Sequence, residues 1–128
     1  MNQNPARTIL VIDDEDQIRA MLRRILEKNG YQVFEASDGA EGIKCCRTRH
    51  VHLIITDIFM PGKEGIETII ELRRDFPEIK IFAMSGGGSV GPETFLKITS
   101  QLGVLETFTK PIEREKLMSA IETLFSKS

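Results

Sequence analysis

The sequence lacks the features that mark membrane, secreted and zinc-thiolate proteins. It has no apolar run of about 18 residues, which a membrane-spanning helix needs. Its first five residues are polar and unlike the start of a signal peptide. Cys45 and Cys46 have no His or Cys partner at ligand spacing, so we expect packing or surface roles for them. These absences predict a cytoplasmic protein without a membrane partner.

An excess of charge of one sign is also missing. Lys and Arg number 17 and Asp and Glu number 19, which gives a net charge of −2. This balance does not favour direct binding to a nucleic-acid backbone or to an anionic membrane. The length of 128 residues and the 41% hydrophobic content are typical of one globular domain, and no linker or low-complexity segment divides the chain.

What is present is an alternation of short apolar runs and longer amphipathic stretches. The runs predict five strands, at residues 9–12, 33–36, 53–56, 79–84 and 106–109. The first and third are nearly continuous and indicate central strands, whereas the second and fifth are more polar and indicate strands at or near a sheet edge. Helical apolar spacing follows each run and is weakest at about residues 40–49.

This alternation predicts an α/β fold of the (βα)5 type. Five parallel strands with right-handed crossovers form a doubly wound sheet that carries helices on both faces. Gly30 and Gly103 follow two of the helical stretches and are typical helix-ending residues. Ser37-Asp38-Gly39 follows the second strand and indicates a turn and a helix start.

Residues with polar and reactive side chains follow the other four predicted strands. In open α/β sheets ligands bind outside the carboxyl ends of the strands, so we expect these side chains to form one pocket. Carboxylates packed together repel each other, and Mg²⁺, which prefers oxygen ligands, is the expected compensating ion. Carboxylates, Mg²⁺, a hydroxyl and a lysine predict phosphoryl transfer with an aspartate oxygen as nucleophile. The residues are Asp13-Asp14-Glu15-Asp16 after the first strand, Asp57 after the third, Ser85 after the fourth and Lys110 after the fifth.

Taken singly, each of these residues has an ordinary structural explanation. The acidic cluster precedes a helix and could cap it, which is the role we predict for Asp16. Asp57 alone could be a turn residue, Lys110 a solvated lysine and Ser85 part of a flexible loop. Four such coincidences, each at the end of its own strand, favour a common site.

The motifs at the strand ends occur in a fixed order. They are Leu10-Val11-Ile12-Asp13-Asp14, then Thr56-Asp57-Ile58-Phe59-Met60-Pro61 with Gly65, then Met84-Ser85-Gly86, then Thr109-Lys110-Pro111. From about Thr8 to Phe125, the chain resembles a response-regulator receiver domain, the family that includes the chemotaxis response regulator. The resemblance implies a flavodoxin-like strand order, 2-1-3-4-5. It also implies a single receiver domain over residues 1–128, with a core at about 8–125 and no output domain.

The resemblance further implies a phosphoacceptor and a metal site. Asp57 would accept a phosphoryl group from a phosphohistidine on a sensor histidine kinase or a histidine phosphotransfer protein. Asp13 and Asp14 would hold Mg²⁺ together with Asp57 and the backbone carbonyl of Phe59.

The remaining motif residues would act on the phosphoryl group itself. Lys110 would contact the phosphoryl group or Asp57. Ser85 would hydrogen-bond a phosphoryl oxygen and draw the loop after the fourth strand inward. The Lys110–Pro111 peptide bond is expected to be cis, as is usual in this family.

Three features depart from the family pattern. Thr107 stands where the family often has an aromatic residue that turns inward, so the usual aromatic switch is in doubt. The loop at 85–92 is unusually rich in glycine, and we expect it to be mobile before phosphorylation; it lacks the residue order of a nucleotide-binding loop. Phe59 and Gly87 lie where the family varies its dephosphorylation rate, and shielding by Phe59 predicts a comparatively long-lived phosphoryl state.

The leading interpretation is a two-component signalling switch whose partner-binding face changes when Asp57 is phosphorylated. Such a protein catalyses only its own phosphorylation and dephosphorylation. A Mg²⁺-dependent aspartyl phosphatase of the haloacid-dehalogenase type is an alternative, with Asp14 as nucleophile. Others are a phosphorelay intermediate, a degenerate scaffold receiver and a flavodoxin-like carrier, although the acidic loop would repel a flavin phosphate. The downstream protein partner is unknown, and phosphorylation-dependent homodimerisation stays open.

Overall fold

The computed structural model describes residues 6–58, 64–86 and 91–126, and strands and helices alternate along this part of the chain. The strands are β1 (Thr8–Ile12), β2 (Gln32–Ala36), β3 (Leu53–Asp57), β4 (Lys80–Ser85) and β5 (Glu106–Thr109). The helices are α1 (Asp16–Lys28), α2 (Gly39–Thr48), α3 (Glu64–Asp75), α4 (Pro92–Gln101) and α5 (Arg114–Ser126). Each predicted strand is confirmed, with ends within one residue of the prediction.

The five strands form one parallel sheet in the order β2-β1-β3-β4-β5. This is the predicted flavodoxin-like order, with β1 and β3 inside the sheet and β2 and β5 at its edges. The register pairs Ile12 with Thr56 and Ser85 with Thr109. Because all strands run in the same direction, their carboxyl ends meet at one edge of the sheet.

Helices cover both faces of this sheet, so each central strand contributes side chains to two cores. Successive strand residues point to opposite faces. Leu10 and Ile12 pack with apolar residues of α2, α3 and α4, whereas Ile9 and Val11 pack with residues of α1 and α5. Burial on both faces explains why the β1 and β3 sequences are nearly continuous apolar runs rather than alternating ones.

The two cysteines pack against this core, as expected for structural residues. Cys46 is buried with the α2–α4 side of the core, and Cys45 is half-buried beside it. Burial raises the pKa of Cys46 to about 12, so this thiol stays protonated at neutral pH. A protonated, buried thiol is a poor metal ligand.

The helix ends agree with the sequence except at the start of α1. Asp38 is the N-cap of α2, and its side chain accepts a hydrogen bond from the backbone N–H of Glu41. The prediction that Asp16 caps α1 is wrong, because Asp16 is already the first helical residue and its carboxylate pairs with Arg19. Glu15 holds the N-cap position without a side-chain cap. None of the helices described here has the length and apolar character to cross a membrane.

Gly65 brings the start of α3 against the end of β3. A Cβ atom at this position would lie 1.9 Å from the backbone oxygen of Ile58, the residue after Asp57. Such a contact is far inside van der Waals distance, and neither backbone can move aside as a flexible side chain could. Glycine is therefore required where α3 approaches the strand end that carries Asp57.

We expect Gly65→Ala to lower the free energy of unfolding by about 1–3 kcal/mol, because the added methyl overpacks backbone against backbone. Gly86→Ala is the matched control, since nothing lies within 4 Å of a Cβ at that position. It should change stability by no more than about 0.5 kcal/mol. Urea unfolding measures both values, and equal effects in the two variants would contradict the packing explanation.

Candidate functional site

The polar residues at the strand ends lie together at the carboxyl edge of the sheet. Asp57 and Ser85 are the last residues of β3 and β4, and Asp13 and Lys110 follow β1 and β5 directly. Parallel pairing places the ends of neighbouring strands side by side. The predicted convergence of these residues is therefore observed, even though Asp57 and Lys110 are far apart in the sequence.

The amine of Lys110 lies at the centre of this group. Its Nζ is 2.7 Å from Oδ2 of Asp13, 2.9 Å from Oδ2 of Asp57 and 3.3 Å from Oε1 of Glu15. Burial alone would lower the pKa of Lys110, but its contacts with Asp13 and Asp57 outweigh burial and raise that pKa. One fixed positive charge thus faces three carboxylates.

Asp13 is the most deeply placed of the carboxylates and has no exposed surface. Its Oδ1 accepts a hydrogen bond from the backbone N–H of Glu15 at 2.8 Å. Its Oδ2 is close to Lys110 but has no partner at hydrogen-bond geometry in the described part of the chain. Burial raises the pKa of Asp13 in spite of the nearby lysine, which indicates that one ion pair does not compensate for the buried charge.

A divalent cation fits this carboxylate arrangement. Oxygens of Asp13, Asp14 and Asp57 all lie within 4.8 Å of one another, and Asp14 is exposed to solvent at the mouth of the group. The incompletely satisfied Oδ2 of Asp13 supplies an acceptor inside the site. An all-oxygen set with an open, solvated side matches Mg²⁺, which keeps part of its water shell. The group consists of carboxylates and contains neither a thiolate nor an imidazole, which are the ligands that softer metals prefer.

Backbone contacts join the ends of β4 and β5 beside these carboxylates. The N–H of Lys110 donates to the backbone oxygen of Ser85 at 2.7 Å. Ser85 is buried at the end of β4, beside these contacts. The Lys110–Pro111 peptide bond is cis, as predicted.

Residues 87–90 of the glycine-rich loop that we expect to be mobile lie outside the described residues, as do two further predicted features. The backbone carbonyl of Phe59, expected as a metal ligand, and Gly87, expected to influence dephosphorylation, both lie there. In β5 the aromatic residue is Phe108, whose ring centroid is 5.6 Å from that of Phe82. Phe108 thus packs in the core on the α1–α5 side, and Thr107 holds the neighbouring position in the strand.

The structure gives Glu15, predicted only as a member of the acidic cluster, a specific contact, and it adds Arg19, to which the sequence assigned no role. Glu15 reaches Lys110 from the start of α1, although its side chain is 61% exposed. Arg19 donates from Nη1 to the backbone oxygen of Asp13 at 2.7 Å. A basic residue one turn after an acidic cluster is a weak signal, because such pairs are common on helix surfaces.

We expect Asp13→Asn to raise the free energy of unfolding of the metal-free protein by about 1 kcal/mol at pH 7, because it removes a poorly compensated buried charge while Lys110 keeps Asp57 and Glu15 as partners. The raised pKa of Asp13 means that the folded protein binds this proton more readily than the unfolded chain. The cost of ionising Asp13 is therefore absent below pH 3.8, grows as the pH rises through the raised pKa, and is complete above it.

Urea unfolding in EDTA at pH 7 and at pH 4.5 measures this effect. The advantage of the Asn variant should be smaller at the lower pH. Asp16→Asn is the control, because the Asp16 side chain is 90% exposed and lies only three residues further along the chain. A destabilised Asp13→Asn at pH 7, or an advantage that grows on acidification, would contradict the assignment.

Comparison with known proteins agrees with this geometry. A sequence model of the response regulator receiver domain matches residues 9–122. The chain is 32% identical over 126 residues to the alkaline phosphatase synthesis transcriptional regulatory protein PhoP of Bacillus subtilis, covering 95% of this chain and 50% of that protein. It is 27% identical over 114 residues to sporulation initiation phosphotransferase F of the same organism, covering 89% of this chain and 90% of that protein.

The fold has close structural counterparts as well. A CheY-like response regulator receiver domain protein from Methanospirillum hungatei superposes with a TM-score of 0.86 at 24% identity, over 96% of each chain. This likeness establishes the fold. Because the chain spans half the length of the PhoP relative, the similarity to that protein concerns this domain and not its remainder. The match over residues 9–122 shows that the chain belongs to the response regulator receiver domain family of two-component systems.

Proposed function

We propose that the protein is a phosphorylation-controlled switch in which Asp57 accepts a phosphoryl group in a Mg²⁺-dependent reaction. The observation that carries this proposal is the placement of Asp57 2.9 Å from the amine of Lys110, in a group of carboxylates that one lysine cannot neutralise. Asp57 is 6% exposed and paired with Lys110, so its carboxylate is held in place by the protein. A fixed carboxylate beside a fixed cation is suited to nucleophilic attack on an anionic phosphoryl group.

The reaction that we propose is a direct transfer to the carboxylate. An oxygen of Asp57 attacks the phosphorus of a phosphohistidine, and the bond between phosphorus and the imidazole nitrogen breaks. The electron pair of that bond stays on the imidazole, which takes up a proton, and Asp57 becomes an acyl phosphate. The later attack of water on phosphorus returns the carboxylate and releases inorganic phosphate.

The surrounding residues have separate tasks in this proposal. Lys110, kept protonated by its raised pKa, pairs with the incoming phosphoryl oxygens and with Asp57. Ser85 hydrogen-bonds a phosphoryl oxygen from the end of β4. Asp13 and Asp14, with Asp57, would hold the ion, and the backbone carbonyl of Phe59 would be a further ligand. Bound Mg²⁺ would supply positive charge that offsets the charge of the carboxylates and of the phosphoryl group.

The partners follow from the same chemistry. The donor is a phosphohistidine on a sensor histidine kinase or on a histidine phosphotransfer protein, and the output is altered contact with a downstream protein. Similarity to a sporulation phosphotransferase supports a relay role as a variant of this function. The single-domain organisation without an output domain, the cytoplasmic location and the long-lived phosphoryl state remain predictions.

Incubation with acetyl phosphate and Mg²⁺, followed by intact mass measurement, tests the proposal. We expect a mass increase of one phosphoryl group in the wild type, and a rate lower by about 100-fold in EDTA, because the charge of the transferring group is then poorly offset. Asp57→Asn should give no adduct.

Asp75→Asn is the matched control, because Asp75 is an aspartate at the end of α3 that pairs with Arg74 rather than with the site. It should be phosphorylated like the wild type. Absence of an adduct in the wild type would refute the proposal, and so would an undiminished adduct in Asp57→Asn.

A further inference from the structure

Arg19 links α1 and β2 to the loop after β1, which carries the acidic residues. From α1, its Nη1 donates to the backbone oxygen of Asp13 at 2.7 Å, and its Nε donates to Oε1 of Glu35 in β2 at 3.1 Å. Its Nη2 pairs with the carboxylate of Asp16. The Arg19 side chain is only 14% exposed, so the guanidinium group is held rather than free in solvent. Each of these contacts uses a different nitrogen of the same planar group.

The peptide between Asp13 and Asp14 is consequently held at its carbonyl oxygen. The N–H of Asp13 donates to the backbone oxygen of Ala36 at 3.1 Å, which fixes the preceding peptide. Because a peptide unit is planar, the direction of the Asp13 carbonyl determines where the chain leaves towards Asp14. Arg19 therefore constrains the position of Asp14, the exposed member of the three-carboxylate group.

Glu35 keeps Arg19 in the orientation that this contact needs. Its Oε2 accepts a hydrogen bond from Nη1 of Arg23 at 2.7 Å, and its Oε1 accepts one from Nε of Arg19. The contact with Arg23 and then that with Arg19 hold the pKa of Glu35 below its ordinary value, so its carboxylate stays charged at neutral pH. An ionised Glu35 between two arginines anchors Arg19 to the edge strand of the sheet.

We propose that Arg19 is a positioning residue that sets the Mg²⁺ affinity of the carboxylate group through the backbone carbonyl of Asp13. This inference deepens the proposed function and rests on it. Removal of a residue that orients a metal ligand by hydrogen bonding typically changes the metal affinity by about 10–100-fold.

The direction of the change in Mg²⁺ affinity distinguishes a positioning role of Arg19 from a purely electrostatic one. Removal of a nearby cation reduces repulsion, so a purely electrostatic role for Arg19 predicts tighter Mg²⁺ binding in Arg19→Ala. A positioning role predicts weaker binding, because Asp14 is then no longer held in place. The two explanations therefore give opposite results in one titration.

Arg23 supplies the matched control on the same helix. It also pairs with Glu35, and it pairs with Glu27, but none of its contacts in the described chain reaches Asp13. Arg23→Ala removes one positive charge and an ion pair of the same kind. It should leave the Mg²⁺ affinity within about twofold of the wild type, because its charge is well exposed to solvent.

Isothermal titration of the full chain with Mg²⁺ tests this inference. Arg19→Ala should weaken binding about tenfold relative to both the wild type and Arg23→Ala. Arg19→Lys serves as a second variant, because it keeps the charge but has one nitrogen in place of the three that make the Arg19 contacts; it should bind Mg²⁺ less tightly than the wild type as well. Urea unfolding of each variant reports whether the fold is retained.

The outcomes distinguish this inference from the proposed function. Wild-type affinity or tighter binding in Arg19→Ala would overturn the role of Arg19 and leave the proposed function intact. Equal weakening in Arg19→Ala and Arg23→Ala would also overturn it, since of these two arginines Arg19 contacts Asp13 and Arg23 has no contact with it in the described chain. If the wild-type chain binds no Mg²⁺, the metal-dependent function and the inference both fail.

Discussion

The contact of the Lys110 amine with Asp13 and Asp57 is the interaction on which the site depends. It joins the ends of β1, β3 and β5, which come from opposite parts of the chain. Lys110 also reaches Glu15, so a single positive charge serves three carboxylates. Burial makes the charge of Asp13 costly, and Lys110 does not fully compensate for it, as the raised pKa of Asp13 indicates. The group thus has the charge and the oxygen atoms to bind a cation and then an anionic phosphoryl group.

The parallel sheet makes this arrangement possible without long connecting segments. When all strands run in one direction, their carboxyl ends and the residues that follow them lie at the same edge of the sheet. Ile58, directly after Asp57, donates its N–H to the backbone oxygen of Met84, and Lys110 donates its own to that of Ser85. Gly65 permits α3 to start directly against Ile58. The positions of the functional side chains are therefore set by backbone pairing and close packing.

Much of this architecture could be predicted because it depends on strong local patterns. The buried runs of β1 and β3, with polar residues directly after them, indicate both the inner strands and the edge where ligands bind. The same patterns indicate Asp57 and Lys110, but their 2.9 Å separation depends on tertiary pairing. The cap at α1 was mispredicted because Asp is the favoured capping residue, whereas the helix starts one position earlier and leaves Glu15 at the N-cap without a side-chain hydrogen bond. Only the structure shows that Arg19 pairs with the Asp16 carboxylate and donates a hydrogen bond to the backbone carbonyl of Asp13.

Mapping the phosphorylated residue tests the central claim most directly, because the two aspartyl-phosphate mechanisms use different aspartates. Borohydride reduction of the phosphorylated protein converts an aspartyl phosphate to homoserine, and peptide mass spectrometry locates the converted residue. We expect homoserine at position 57 and unchanged Asp13 and Asp14. Conversion at Asp14 would instead support a hydrolase-type nucleophile, and it would contradict the assignment of Asp57 as the acceptor beside Lys110.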